Sequence, residues 1–83
     1  MTQESIALGQ VIRRIRKERK MSQEDLCEKA GGIDQSYLSE IENGHWNLST
    51  GLLFRIARAL GVSGTSIVAE VEEMLSKEGD QGN

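Results

Sequence analysis

Proline is absent from the 83 residues, so no ring clash or missing N–H interrupts a helix anywhere in the chain. A single cysteine, Cys27, excludes an intrachain disulfide, and with the single histidine, His45, it cannot complete a structural zinc site. Trp, Tyr and Phe occur once each, which leaves the core to aliphatic side chains. No run of about 18 apolar residues exists, so no segment reads as a membrane span. Residues Met1 to Ser5 show neither the basic nor the apolar region of a secretory leader, and a cytoplasmic location is expected. What remains is the composition of one small globular domain, with 37% hydrophobic and 28% charged residues.

The net charge of −3 argues against a polyanion partner, but its distribution does not. Residues 1–20 carry six cations against two carboxylates, a balance of +4. Residues 21–60 carry three against six, or −3, and residues 61–83 one against five, or −4. A polyanion can meet the basic end while the acidic end faces elsewhere. A solvated helix face is the other reading of the same run.

Hydrophobic spacing predicts an all-α chain of five helices. The first runs from about Ser5 to Arg19, with Leu8, Val11, Ile12 and Ile15 on one stripe and Arg13, Arg14, Lys17 and Lys20 off it. The second starts at Ser22, where Ser22 and Asp25 read as a capping box, and ends at Gly31-Gly32. The third is capped by Asp34, buries Tyr37, Leu38 and Ile41, and stops at Asn43-Gly44. The fourth starts near Ser49 and carries the strongest stripe, Leu52, Leu53, Ile56, Ala57 and Leu60, closed by Gly61. The fifth covers about 65–77, with Ile67, Val68, Val71, Met74 and Leu75 apolar. Residues 1–78 form one domain on this reading, and 79–83 a flexible polar tail.

The second and third helices, joined by a tight glycine turn, have the local form of a helix-turn-helix. In that motif the second of the two helices lies in the DNA major groove. Gln35, Ser36, Ser39 and Glu40 point away from the buried face and are the candidate base-edge readers, Gln35 foremost because its amide pairs with adenine in two bonds. A purely structural helix shows the same solvent face. Glu40 either accepts from a cytosine amino group or sits at the groove edge.

The blocks Met21-Ser22-Gln23-Glu24-Asp25-Leu26, Ala30-Gly31, Ser36 through Gly44, and Ile56-Ala57-Arg58-Ala59-Leu60-Gly61-Val62 resemble the Xre family, regulators of the lambda-repressor and Cro type. The resemblance covers about residues 8–62. It implies a five-helix, lambda-repressor-like DNA-binding domain. The small size, the Asn47-Leu48-Ser49 connection and the apolar fifth helix also resemble controller proteins of restriction–modification systems. Two positions depart from the family. Gly32 and Ile33 make the turn one residue longer, which is expected to shift the angle between its helices. Leu48 replaces a proline before the fourth helix, which is expected to loosen that loop.

The resemblance also implies roles. Gln23 matches a residue that bonds a backbone phosphate at a helix N-terminus. Tyr37, Asn43 and Asn47 are further phosphate candidates, and Arg13 and Lys17, with Arg14 and Lys20, supply diffuse attraction. The Tyr37 ring packs while its hydroxyl reaches toward a phosphate, and Trp46, in the loop after the third helix, packs on the core or contacts a partner subunit. Arg16 and Glu42 match positions that form an ion pair between the first and third helices. Cys27 reads as a small core residue.

Ile67, Val71, Met74 and Leu75 read as an apolar strip left for a dimer partner. A two-fold dimer sets two recognition helices about 34 Å apart and implies a near-palindromic operator. The expectation is therefore a homodimeric, sequence-specific DNA-binding transcription regulator, acting on double-stranded DNA without cofactor, small-molecule ligand or membrane. The alternative is an antitoxin or protein-interaction module of the same fold. An enzyme is not expected, since no nucleophile–base pair or phosphate-cradling loop is visible.

Overall fold

The computed structural model describes residues 1–81, and side chains through Lys77. Its order is α1 (Gln3–Glu18), α2 (Gln23–Lys29), α3 (Gln35–Glu42), α4 (Thr50–Leu60) and α5 (Gly64–Gln81), with no strand among the described residues. No single helix among them is long and apolar enough to cross a membrane.

Each start has a chemical cause. α1 begins two residues before Ser5, because Thr2 is the N-cap and Ser5 completes a reciprocal box with it, both bonds being 3.0 Å. At α2 the Ser22–Asp25 box forms, with bonds of 3.0 and 2.9 Å. The Asp34 carboxylate accepts the Ser36 N–H at 2.7 Å and opens α3. Ser49 caps α4, which ends on Gly61. At the start of α5 Ser66 donates twice to Ser63, its N–H to Oγ at 3.0 Å and its hydroxyl to the carbonyl at 2.7 Å. That helix runs to Gln81, beyond the end near Lys77 read from the sequence, so 79–81 continue it. Residues 82 and 83 of the expected tail lie outside the described residues.

All five helices feed one core. Ile12 of α1, Leu26 of α2, Leu38 and Ile41 of α3, Ile56 and Leu60 of α4 and Ile67 of α5 are fully buried. Truncating any of them to alanine costs about 2–5 kcal/mol, the lost transfer energy plus the cavity left behind. α5 lies along α1, and α1 also crosses the C-terminal end of α3. That crossing is close because Gly9 has no side chain: a Cβ there would stand 2.7 Å from the Glu42 carbonyl oxygen and nearer still to that of Ile41.

The lie of α5 takes Ile67 out of the expected dimer strip and covers part of the rest. Ile67 is completely buried in its own chain's core, and Val71 and Met74 pack against that core. Leu75 is half-buried. The α1 stripe supplies the opposing face, and an ion pair from Arg14 to Glu70 joins the same two helices. On the outer side of α4 and α5, Phe54 is 51% exposed and Val68 42% exposed.

Candidate nucleic-acid interface

The turn between α2 and α3 is built on two glycines. Gly31 and Gly32 both take positive φ, 97° and 90°, a conformation that side chains with a Cβ rarely adopt. The Cys27 carbonyl then accepts the N–H groups of Gly32 at 2.9 Å and Ile33 at 3.1 Å. Ile33 packs against the core. From α4, Arg55 Nε donates to the Ala30 carbonyl at 3.0 Å, bracing the end of α2. Sequence spacing gave no role to Arg55; its only signal was a position off the α4 stripe.

α3 is held in place by a charged pair. Arg16 Nε donates to Glu42 Oε2 at 2.7 Å, and Nη2 donates to Oε1 at 2.9 Å. Arg16 Nη1 also reaches the Met21 carbonyl at 2.8 Å. Both side chains are buried, and no buried side-chain N or O among the described residues lacks a partner. The hydrogen bonds to Glu42 hold the guanidinium above its ordinary pKa, against the opposing effect of burial. Glu42 Oε1 also accepts from Gln23 Nε2 at 3.0 Å. Arg16, Glu42 and Gln23 thus link α1, α3 and the first turn of α2.

On the outer side, Gln23, Gln35, Ser36 and Ser39 line one open cleft of about 380 Å³. Three of the four base-edge candidates therefore share a surface with the leading phosphate candidate. Gln35 and Ser36 are exposed, and Ser39 is half-buried. The second Gln23 amide N–H and the Ser36 and Gln35 side chains offer donors at the N-terminal ends of two helices, where the helix dipole favours anions.

Glu40 does not line that cleft. Its Oε1 accepts the Trp46 indole N–H at 2.8 Å. Trp46 meets Tyr37 edge to face, with ring centroids 5.6 Å apart and planes at 73°. Tyr37 is half-buried and packs against the core. The sequence offers Trp46 for core packing or a partner contact and gives no sign of this polar bond, because spacing does not show a loop folding back on its helix.

The start of that loop is held by two hydrogen bonds. Gly44 O accepts from buried Ser5 Oγ at 2.7 Å, and the His45 N–H reaches the Glu40 carbonyl at 3.0 Å. Leu48 packs against the core. Asn43 ends α3 and is exposed, as is Asn47, whose Oδ1 lies 3.5 Å from Thr2 Oγ1. Arg13 and Lys17 are exposed one turn apart on α1. Arg14 differs from them, being paired with Glu18 at 3.0 Å and with Glu70. Cys27 is buried, and burial pushes its thiol pKa up, away from reactivity.

The architecture and the turn are those of a helix-turn-helix protein, and comparison with known proteins agrees. Residues 12–67 match the Helix-turn-helix family, and the chain belongs to it, as an Xre-type member. The immunity repressor protein of Bacillus phage phi105 is 45% identical over 73 residues, 88% of this chain and 49% of the repressor. The chain thus spans about half the length of that relative. The clp gene regulator ClgR from Corynebacterium glutamicum superposes with a TM-score of 0.86 at 27% identity, over 99% of this chain and 85% of that one. A restriction–modification controller protein, solved as a tetramer with its natural 35 base-pair operator, superposes at 0.78 and 32% identity, over 88% of this chain and 95% of its own. These relatives are transcription regulators, not enzymes.

Proposed function

We propose that the chain is a sequence-specific DNA-binding transcription regulator that acts as a homodimer on a near-palindromic operator, reading the major groove with α3. The observation that carries this is the shared surface of Gln23, Gln35, Ser36 and Ser39, set on a helix locked by the buried Arg16–Glu42 pair. Gln35, Ser36, Ser39 and Glu40 read base edges. Gln23, Tyr37, Asn43, Asn47, Arg13 and Lys17 contact phosphates and set the register. The controller protein that superposes on this chain is bound to an operator, which supports the same mode of action here. The site of action is then wherever the cell keeps its DNA.

The dimer surface moves from the inner to the outer side of α5. Phe54 and Val68, with Leu53, Thr65 and Ala69, line an open apolar cleft of about 350 Å³ between α4 and α5. Large apolar groups exposed together on a small domain mark an interface. A second copy across a two-fold axis covers both patches at once and sets the two α3 helices one DNA turn apart.

Selection of bound sequences from random duplexes, with the footprint length recorded, tests the reading. Recovery of one inverted repeat is expected. Equal recovery of all sequences overturns sequence-specific regulation, and a footprint over a single half-site overturns the dimer.

A further inference from the structure

The Glu40–Trp46 contact is the feature of the recognition surface that the reading above leaves unused. We propose that Trp46 is a positioning residue for base recognition: its indole N–H fixes the Glu40 carboxylate so that Glu40 reads a cytosine at one position of each half-site. This rests on the DNA-binding reading of α3.

Glu40 is exposed and follows Ser36 by one helical turn, so it continues the base-edge face of α3. A free glutamate there would keep several rotamers and swing away from the phosphates. This one is held by one bond to its carboxylate, from a loop that is itself tied to the Glu40 backbone. The His45 backbone N–H binds its carbonyl at 3.0 Å, and the Trp46 indole binds Oε1 at 2.8 Å. Trp46 is itself set edge-on against Tyr37, which packs on the core. The carboxylate is therefore referenced to the core through two aromatic rings. Trp46 remains 46% exposed, so burial alone does not account for a tryptophan at this place.

The donor and acceptor balance selects the base. Indole N–H is a donor only, and it uses one oxygen of Glu40. The second oxygen has lone pairs and no proton to give. In the major groove, amino groups are offered by cytosine N4 and adenine N6. Adenine sets the N7 acceptor beside its amino group, where a carboxylate is repelled. Cytosine sets no acceptor on that edge. An acceptor-only group held in one rotamer thus discriminates in favour of cytosine.

The test compares the wild type with Glu40→Gln, Glu40→Ala, Trp46→Phe and the Glu40→Ala, Trp46→Phe double variant by selection from random duplexes, followed by affinities on single-base variants of the selected site. The wild type is expected to select cytosine at one position per half-site. Glu40→Gln, whose amide adds a donor, should move that position toward adenine. Trp46→Phe keeps a ring against Tyr37 and removes only the N–H. It should cut the preference at that same position roughly tenfold, leaving other positions and the thermal midpoint unchanged. In a Glu40→Ala background, where the indole has no acceptor left to hold, Trp46→Phe should have no further effect on that position, which separates positioning from a general structural role. The proposal is overturned if Trp46→Phe weakens all sequences equally, if it leaves the preference intact, or if a sequence-selective wild type has no cytosine there. A wild type that selects no sequence fails the DNA-binding reading itself.

Discussion

Arg16 and Glu42 meet through two parallel hydrogen bonds, 2.7 and 2.9 Å, in the buried space between α1 and the end of α3. The same glutamate holds Gln23, so one carboxylate joins three helices. An ion pair of this kind adds little net stability over an apolar pair of equal volume, but losing one partner strands a charge. Arg16→Ala should lower unfolding stability by about 3–5 kcal/mol. Arg13→Ala, at an exposed position on the same helix, should stay within about 0.5 kcal/mol of the wild type. Urea unfolding of the two variants measures the difference, and equal midpoints would remove the pair from its organising role.

Asp25 gives the fold a pH dependence with a defined sign. The Ser22 backbone N–H, and then the Ser22 hydroxyl, hold its carboxyl below the ordinary carboxylate value. A group whose folded value is depressed stabilises the fold above its unfolded value and loses that contribution as pH falls through the folded one. The contribution of Asp25 is thus present at neutral pH and fades below about pH 4. Asp25→Asn removes the titration. Thermal midpoints of wild type and variant should differ at pH 7 and converge as the buffer is taken into the acid range. A constant gap across that range would count against the linkage.

The five helices were legible because capping chemistry and apolar spacing are local. Ser22, Asp34 and Ser49 each sit three or fewer residues from the N–H they accept, and all three starts are where the spacing predicts them. The α1 start was misplaced by two residues, since Ser5 reads equally well as a cap or as the third residue of a box opened by Thr2. Non-local facts were harder. Periodicity gives α5 an apolar face, yet it does not say whether the same chain or another covers it. Ile67 went to the chain's own core because the α1 stripe was free to receive it. Phe54 carried a usable signal: it was the one large apolar residue lying off the α4 stripe. The Arg55 brace and the Glu40–Trp46 bond join groups brought together only by the turns, and spacing pairs neither.

The outward patch on α4 and α5 makes an oligomer prediction. Val68→Asp puts a charge on the exposed side of α5, where the fold tolerates it but a dry contact between two copies does not. Sedimentation should show the wild type as a dimer at micromolar concentration and the variant as a monomer, with a thermal midpoint lower by no more than the lost association explains. Operator affinity should fall as the second half-site is lost, while half-site affinity is retained. Ile67→Asp, buried in the core, should unfold the chain instead, by the cost of an unpaired buried charge.

Base and phosphate contacts separate by their dependence on salt. Lys17 is exposed on α1 and is assigned to the backbone, so Lys17→Ala should weaken operator and random DNA alike. It should also reduce the slope of log K against log salt by about one, because one fewer counterion is released on binding. Gln35 lies in the cleft with Ser36 and Ser39, and its loss should act on sequence instead. Gln35→Ala should cost about 1–3 kcal/mol on the operator, relax discrimination at one base pair, and leave the salt slope unchanged. Fluorescence anisotropy titrations on both duplexes at several salt concentrations give all four quantities. Should Gln35→Ala lower both affinities by one factor, the residue touches the backbone, and base reading then falls to Ser36, Ser39 and Glu40 alone.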